Sequence, residues 1–130
     1  MCPSMTSYFF TVIIPTYNRA TLVKEAIQSV LDQTFDNFEL IIVDDHSTDN
    51  TKDVVQSYSD KRICYVLNDH IKGAAGARNA GLSRSGGKWV AFLDSDDVWL
   101  PKKLELVYEK IKEVDTDVGL IYTGFADYDF

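Results

Sequence analysis

The stretch WVAFLDSDD, from Trp89 to Asp97, decides how the rest of the chain is read. Trp89 to Leu93 is an apolar run behind Gly86 and Gly87, of the length of a buried strand, and it ends in three carboxylates. An α/β sheet collects its ligands outside the carboxyl ends of its strands, so the place of these acids matters as much as their charge. With the backbone still extended, Asp94 and Asp96 share a face with Cα atoms roughly 6.6 Å apart, while Asp97 points away. Two carboxylates at that spacing repel unless a cation lies between them. With no His or Cys beside them, the pair suits a hard ion such as Mg²⁺ or Mn²⁺.

The bland alternative is a solvated acidic turn before a helix, and the buried strand ahead of the acids is what favours a site. A calcium hand is excluded. Asp94, Asp96 and Glu105 fit positions one, three and twelve of such a loop. Positions five and six, however, hold Val98 and Trp99 where an oxygen ligand and a glycine are needed.

Working outward, Phe9 to Ile14 reads as a first strand closed by Pro15, and Leu22, Val23, Ala26, Ile27, Val30 and Leu31 form a helical stripe that Asn18 or Thr21 would cap. Phe38 to Val43 is almost wholly apolar, as a strand buried on both faces should be, and it stops at Asp44 and Asp45. Ser47, Thr48 and Asp49 offer caps for a short helix through Val54 and Val55. Arg62 to Leu67 makes a third strand. Gly73 to Gly81 matches neither G-x-G-x-x-G nor a P-loop and reads as a close-packed helix carrying Arg78 and Asn79. Pro101 suits the first turn of a helix with the stripe Leu104, Val107, Tyr108 and Ile111, and Val118 to Tyr122 makes a last strand. The order β-α-β-α-β-α-β-α-β predicts an α/β fold, a doubly wound, mainly parallel sheet flanked by helices.

At 130 residues and 45% hydrophobic content the chain is one domain with room for a core, divided into a tail over 1–7 and a ligand-binding part over 8–130. Its formal charge of −7 argues against nucleic acid and anionic lipid as partners, so a phosphate-bearing ligand needs a bridging metal. Cys2 and Cys64 have no metal-ligand spacing and read as free thiols of a reducing cytoplasm. No segment approaches the ~20 apolar residues of a membrane span. The expected location is cytoplasmic, with peripheral attachment at the inner face of the membrane open to the full-length protein.

Three strand-end loops hold the unusual polar content: Thr16 to Arg19, Asp44 to Ser47, and Asp94 to Asp97. Converging on one crevice, they suit a nucleotide. Tyr17 offers a stacking platform for a base, and Asp45 an acceptor for the imide of uracil or the N–H edge of guanine but not for cytosine. Each also has a plain structural reading, a half-buried tyrosine and a helix-capping carboxylate, and Asp44 and Asp45 can divide the two roles between them. A phospho-acceptor signalling domain also gathers acids at strand ends and binds Mg²⁺, but it wants them after the first strand, where this chain has Pro15, Thr16 and Tyr17. A non-catalytic nucleotide-binding domain is the other alternative.

The segments VIIPTYNR, SVLDQTF, FELIIVDDHSTDNT, GAAGARNAGL and FLDSDDVWLP, in this order between about Phe10 and Tyr122, resemble the nucleotide-binding half of family 2 glycosyltransferases with the GT-A fold. The resemblance implies transfer of a sugar from a nucleotide-diphosphate sugar, UDP favoured, to an acceptor hydroxyl with inversion and with Mn²⁺ or Mg²⁺ as cofactor. It implies that Tyr17 lies against the base, Asp45 holds the uracil edge, Asp94 approaches the ribose, and Asp96 binds the metal on the diphosphate with Asp94 beside it. Pro15, Thr16, Arg78 and Ser95 join as substrate-binding positions, and Asp97 falls beside the motif as a helix cap or supporting residue. The family's members continue into an acceptor half that supplies the catalytic base and takes a saccharide or lipid-linked acceptor in cell-surface polysaccharide synthesis. The chain therefore reads as a fragment, its base expected beyond residue 130, and able to self-associate through the surface that truncation exposes.

Overall fold

The computed structural model describes Cys2 and residues 7–114 and 116–124. Four strands alternate with four helices: β1 (Phe10–Thr16), α1 (Ala20–Leu31), β2 (Phe38–Asp44), α2 (Thr51–Gln56), β3 (Ile63–Leu67), α3 (Ala74–Leu82), β4 (Trp89–Phe92) and α4 (Lys103–Glu113). The strands form one parallel sheet in the order β3-β2-β1-β4. β1 and β2 are buried along their whole length, which is why their sequences are apolar without alternation.

Successive side chains serve opposite faces. Phe10, Val12 and Ile14 of β1, with Phe38, Leu40 and Ile42 of β2, pack against Val23, Ala26, Ile27 and Val30 of α1, Val55 of α2 and Leu104 of α4. Ile13, Ile41 and Val43 turn the other way and meet Ala77 and Ala80 of α3 with Cys64 and Val66 of β3. The result is a three-layer α/β/α sandwich. On the α3 side the helix sits unusually close, because a side chain at Gly81 would run into the branched end of Ile13, and one at Gly76 into the carbonyl of Ile71.

α4 is docked on α1 by a buried amide. Gln33 donates through Nε2 to the carbonyls of Ser29 and Leu100, at 3.1 and 2.8 Å, and its Oε1 accepts from the Leu104 amide at 2.9 Å. Leu104 anchors α4 in the core, while Val107, Tyr108 and Ile111 of the predicted stripe are half-buried against it.

Several expectations need correcting. The run at Trp89 is an edge strand: Trp89, Val90 and Ala91 are half-buried and Phe92 is exposed. The extended backbone does not persist to Asp96, because the Asp97 amide donates to the Asp94 carbonyl at 3.1 Å and closes a turn. Residues 118–122 form no strand; Leu120 and Tyr122 are exposed, with no strand among the described residues to pair them. Pro101 lies two residues before α4, in a turn, and Asp97 caps no helix. Neither Asn18 nor Thr21 caps α1, since Asn18 is spent joining two loops. Of the three polar residues before α2, only Asp49 reaches it, accepting from the Thr51 amide and hydroxyl; the residue at the cap itself is Asn50. Cys2 and Cys64, 62 residues apart in sequence, are brought side by side with Cα atoms 4.6 Å apart, within reach of a disulfide, a pairing that the free-thiol expectation left out. Spacing along the chain carries no information about such a contact in space.

Candidate functional site

The sheet order changes direction at β1: β2 and β3 lie to one side and β4 to the other. A crevice opens outside the carboxyl ends at such a switch. Here it is a cavity of about 330 Å³ lined by Pro15, Thr16, Tyr17, Arg19, Asp45, Ala74, Ala77, Arg78, Asp94, Ser95 and Asp96. All eight positions singled out in the sequence meet in it. Arg19, Ala74 and Ala77 join them without having been expected as site residues; Arg19 belongs to the first strand-end loop, and the two alanines are the small residues that let α3 come close.

The first two strand-end loops are fastened together. Asn18 has φ 49° and His46 φ 65°, left-handed conformations in which Asn is better tolerated than most residues. In that conformation Asn18 Oδ1 accepts from the Thr48 amide at 2.7 Å, and the Asn18 amide donates to Ser47 Oγ at 2.8 Å. Tyr17, just before, stays half exposed at the cavity mouth, with the Lys72 ammonium 5.1 Å from its ring centre.

The acids after β2 divide their roles. Asp44 is buried and accepts from the Ser47 amide at 2.8 Å and the Tyr65 hydroxyl at 2.6 Å, a structural part. Burial and then that hydrogen bond push the Tyr65 hydroxyl pKa well up. Asp45 faces the cavity and organises the approach to α3: its Oδ1 accepts from Asn68 Nδ2 at 2.7 Å and its Oδ2 from the Gly73 amide at 2.8 Å. Gly73 has φ 115°, a conformation that favours glycine. Asn68, at the end of β3, also donates to the Ile71 carbonyl and accepts from the His70 amide, so one side chain shapes the loop 68–73. Its signal in the sequence was its place, a polar residue at the end of a third strand.

Two of the three acids after β4, Asp94 and Asp96, each meet a guanidinium. Arg78 Nη2 donates to Asp94 Oδ1 and Arg19 Nη1 to Asp96 Oδ2, both at 2.6 Å. Partial burial, then the charges of Asp96 and Asp94, push the Asp97 carboxyl up. Ser95 is buried between them. Thr16 Oγ1 is buried on the cavity wall with no hydrogen-bond partner among the described residues, where buried hydroxyls are ordinarily paired. Among those residues no group of three or more His, Cys, Asp or Glu could hold a metal ion by itself.

The family model described as "Glycosyl transferase family 2" matches residues 11–129. The chain belongs to that family. As a family 2 glycosyltransferase it is 47% identical, over 102 residues, to the Escherichia coli UDP-Glc:alpha-D-GlcNAc-diphosphoundecaprenol beta-1,3-glucosyltransferase WfgD, covering 78% of this chain and 40% of that protein. Among solved structures it is similar to S. aureus TarS 1-349 in complex with UDP-GlcNAc, with a TM-score of 0.75 and 34% identity over 80% of this chain and 31% of that one. It is also similar to the mannosyltransferase PcManGT from Pyrobaculum calidifontis in complex with GDP-Man and Mn²⁺, with a TM-score of 0.73 and 30% identity over 88% and 35% of the two chains. These neighbours place the sandwich in the GT-A type. The family 2 chain spans less than half the length of the curated relatives it matches. None of its helices, among the described residues, is long and apolar enough to cross a membrane.

Proposed function

We propose that residues 8–130 form the nucleotide-sugar-binding part of an enzyme that transfers a sugar from a UDP-sugar to an acceptor hydroxyl with inversion, in the synthesis of a cell-surface polysaccharide. The observation that carries this reading is the meeting of a half-exposed tyrosine, a buried acceptor-only carboxylate and an acidic turn in one cavity at the switch in strand order. The relatives' names support it, since one acts on UDP-Glc with a diphosphoundecaprenol acceptor and a neighbour is complexed with UDP-GlcNAc. A saccharide or lipid-linked acceptor follows by the same analogy.

In this reading Tyr17 stacks on the base, with Pro15 supporting the platform. Asp45 accepts from the N–H edge of uracil with the lone pairs that Asn68 and Gly73 leave free; cytosine, which presents an acceptor there, is rejected. Asp94 and Ser95 approach the ribose, and Thr16 Oγ1 finds its missing partner on the ligand. Asp96 and Asp94 are all-oxygen donors on one turn, open to solvent, and so fit a hard divalent ion that takes its remaining ligands from diphosphate and water. When bound, Mn²⁺ or Mg²⁺ supplies charge neutralisation for the leaving diphosphate. Arg19 and Arg78 hold the acidic turn toward the cavity. In-line attack also requires a carboxylate to take the acceptor's proton. The three carboxylates lining the cavity, Asp45, Asp94 and Asp96, are all committed, so the base is assigned to no residue described here.

Titration calorimetry of this chain with UDP, GDP and CDP, each with and without Mn²⁺, tests the reading. UDP should bind in Mn²⁺ and more weakly without it, and CDP should bind worst. Absence of binding by every nucleotide diphosphate in Mn²⁺ would overturn the proposal.

A further inference from the structure

The two carboxylates assigned to the cation are already engaged. Asp96 holds Arg19 and Asp94 holds Arg78, each through one contact of 2.6 Å. The arginines come from different elements, Arg19 from the turn before α1 and Arg78 from the middle of α3. Neither makes another side-chain hydrogen bond among the described residues, and both side chains are more than a third exposed, so each can turn away. In the same cavity lies the buried Thr16 hydroxyl, unpartnered among the described residues, an independent sign that a polar ligand enters here.

We propose that Arg19 and Arg78 form a latch, holding Asp96 and Asp94 while the site is empty and moving onto the donor's diphosphate when nucleotide and cation enter together. This rests on the reading of the site as a nucleotide-diphosphate pocket. A lone cation must displace two guanidiniums, leaving them without an acceptor next to its own charge. A diphosphate alone meets carboxylates that repel it. With both present, the guanidiniums take the phosphate oxygens, for which their planar fork is suited, and the carboxylates take the cation. Each ligand thereby frees the groups that bind the other, and the coupling is reciprocal. Because a cation chelated by diphosphate is coupled to it in any case, the quantity that identifies the latch is affinity for the cation alone.

Mn²⁺ binding to this chain, without nucleotide, is measured by electron paramagnetic resonance for wild type, Arg19→Gln, Arg78→Gln and Arg19→Lys. Arg84→Gln, which makes the same charge change at an exposed pair with Asp69 outside the cavity, is the control. Arg19→Gln and Arg78→Gln should each bind Mn²⁺ roughly two- to fivefold tighter than wild type, the scale set by one exposed ion pair, while UDP in Mn²⁺ binds them more weakly. Arg19→Lys and Arg84→Gln should keep the wild-type Mn²⁺ affinity. Two independent variants guard against one that folds poorly, which circular dichroism reveals. If wild type binds UDP in Mn²⁺ but neither glutamine variant gains Mn²⁺ affinity, or Arg84→Gln gains as much, the latch is overturned and the pocket reading stands. If wild type does not bind UDP in Mn²⁺, the pocket reading fails and the latch with it.

Discussion

Asp45→Asn separates two duties that one carboxylate carries. Asp45 accepts two hydrogen bonds from opposite sides, from Asn68 Nδ2 and from the Gly73 amide. An amide has only one acceptor end. Whichever way the substituted side chain turns, its NH₂ faces a donor, so one bond is lost and two donors are brought together in a site that is almost fully buried. A hydrogen bond to a charged group contributes about 1.5–3 kcal/mol, and that is the expected loss in stability. At about 4 °C per kcal/mol for a domain of this size, melting by circular dichroism should fall by about 6–12 °C. Binding supplies the second readout. At a temperature where the variant is still folded, UDP in Mn²⁺ should weaken more than inorganic pyrophosphate, because the variant loses the base acceptor and leaves the acidic turn intact. An unchanged melting temperature would show that Asp45 does not anchor the loop 68–73. Equal losses for the two ligands would show that it does not read the base.

Asp96→Ala should abolish the Mn²⁺-dependent part of UDP binding while shifting stability by no more than about 0.5 kcal/mol, since its pair with Arg19 is half exposed; retained Mn²⁺ dependence in calorimetry would remove Asp96 from the metal site. Gly76→Ala should cost about 1–3 kcal/mol and weaken UDP, because the added methyl meets the Ile71 carbonyl, a backbone atom of the loop that Asp45 holds. Asp69 is held below the ordinary carboxylate value of 3.8 by hydrogen bonds from Arg84 and then His70, so its contribution is complete above that value and lost as the pH falls through the depressed one. The difference in melting temperature between wild type and Asp69→Asn should therefore be present at about pH 5 and shrink as the pH falls below 3.8. Radiolabelled UDP-sugar with a panel of acceptors should give slow hydrolysis at most with this chain, and robust glycoside formation would place the base within it.

What the sequence made legible were the features that depend on local pattern. Apolar runs located β1 and β2, helical stripes located α1 and α4, and polar residues at strand ends together with the family resemblance named eight of the eleven positions that line the cavity. What it concealed depends on neighbours in space. An apolar run reads alike at the centre and at the edge of a sheet, so the edge position of β4 was hidden, and Val118 to Tyr122 looked like a strand although no strand among the described residues pairs with it. The pairing of Arg19 with Asp96 spans 77 residues and leaves no periodic trace. Asn68 directly follows β3, a polar residue at a strand end like those of the other three loops, and its place there is its only local signal.

The acidic turn is positioned as much from the far end of the sheet as from the cavity. β4 has four residues and, among the described residues, pairs only with β1, from Phe10 against Trp89 to Ile13 against Phe92, so little in its own length fixes the register. At the opposite end, the Thr11 hydroxyl donates to the buried Glu39 carboxylate at 2.6 Å and accepts from the Gly87 amide at 2.8 Å, while Glu39 also accepts from the Gly86 amide at 2.6 Å. Gly87 can come this close only because it has no side chain; a Cβ there would meet the Thr11 backbone. These bonds determine where β4 begins. A slip of one residue would turn its side chains to the other face and carry Asp94 and Asp96 one step along the strand, away from Arg78 and Arg19. The two glycines ahead of Trp89 thus set the place of the carboxylates that follow it, by fixing the start of the strand against a buried acid on β2.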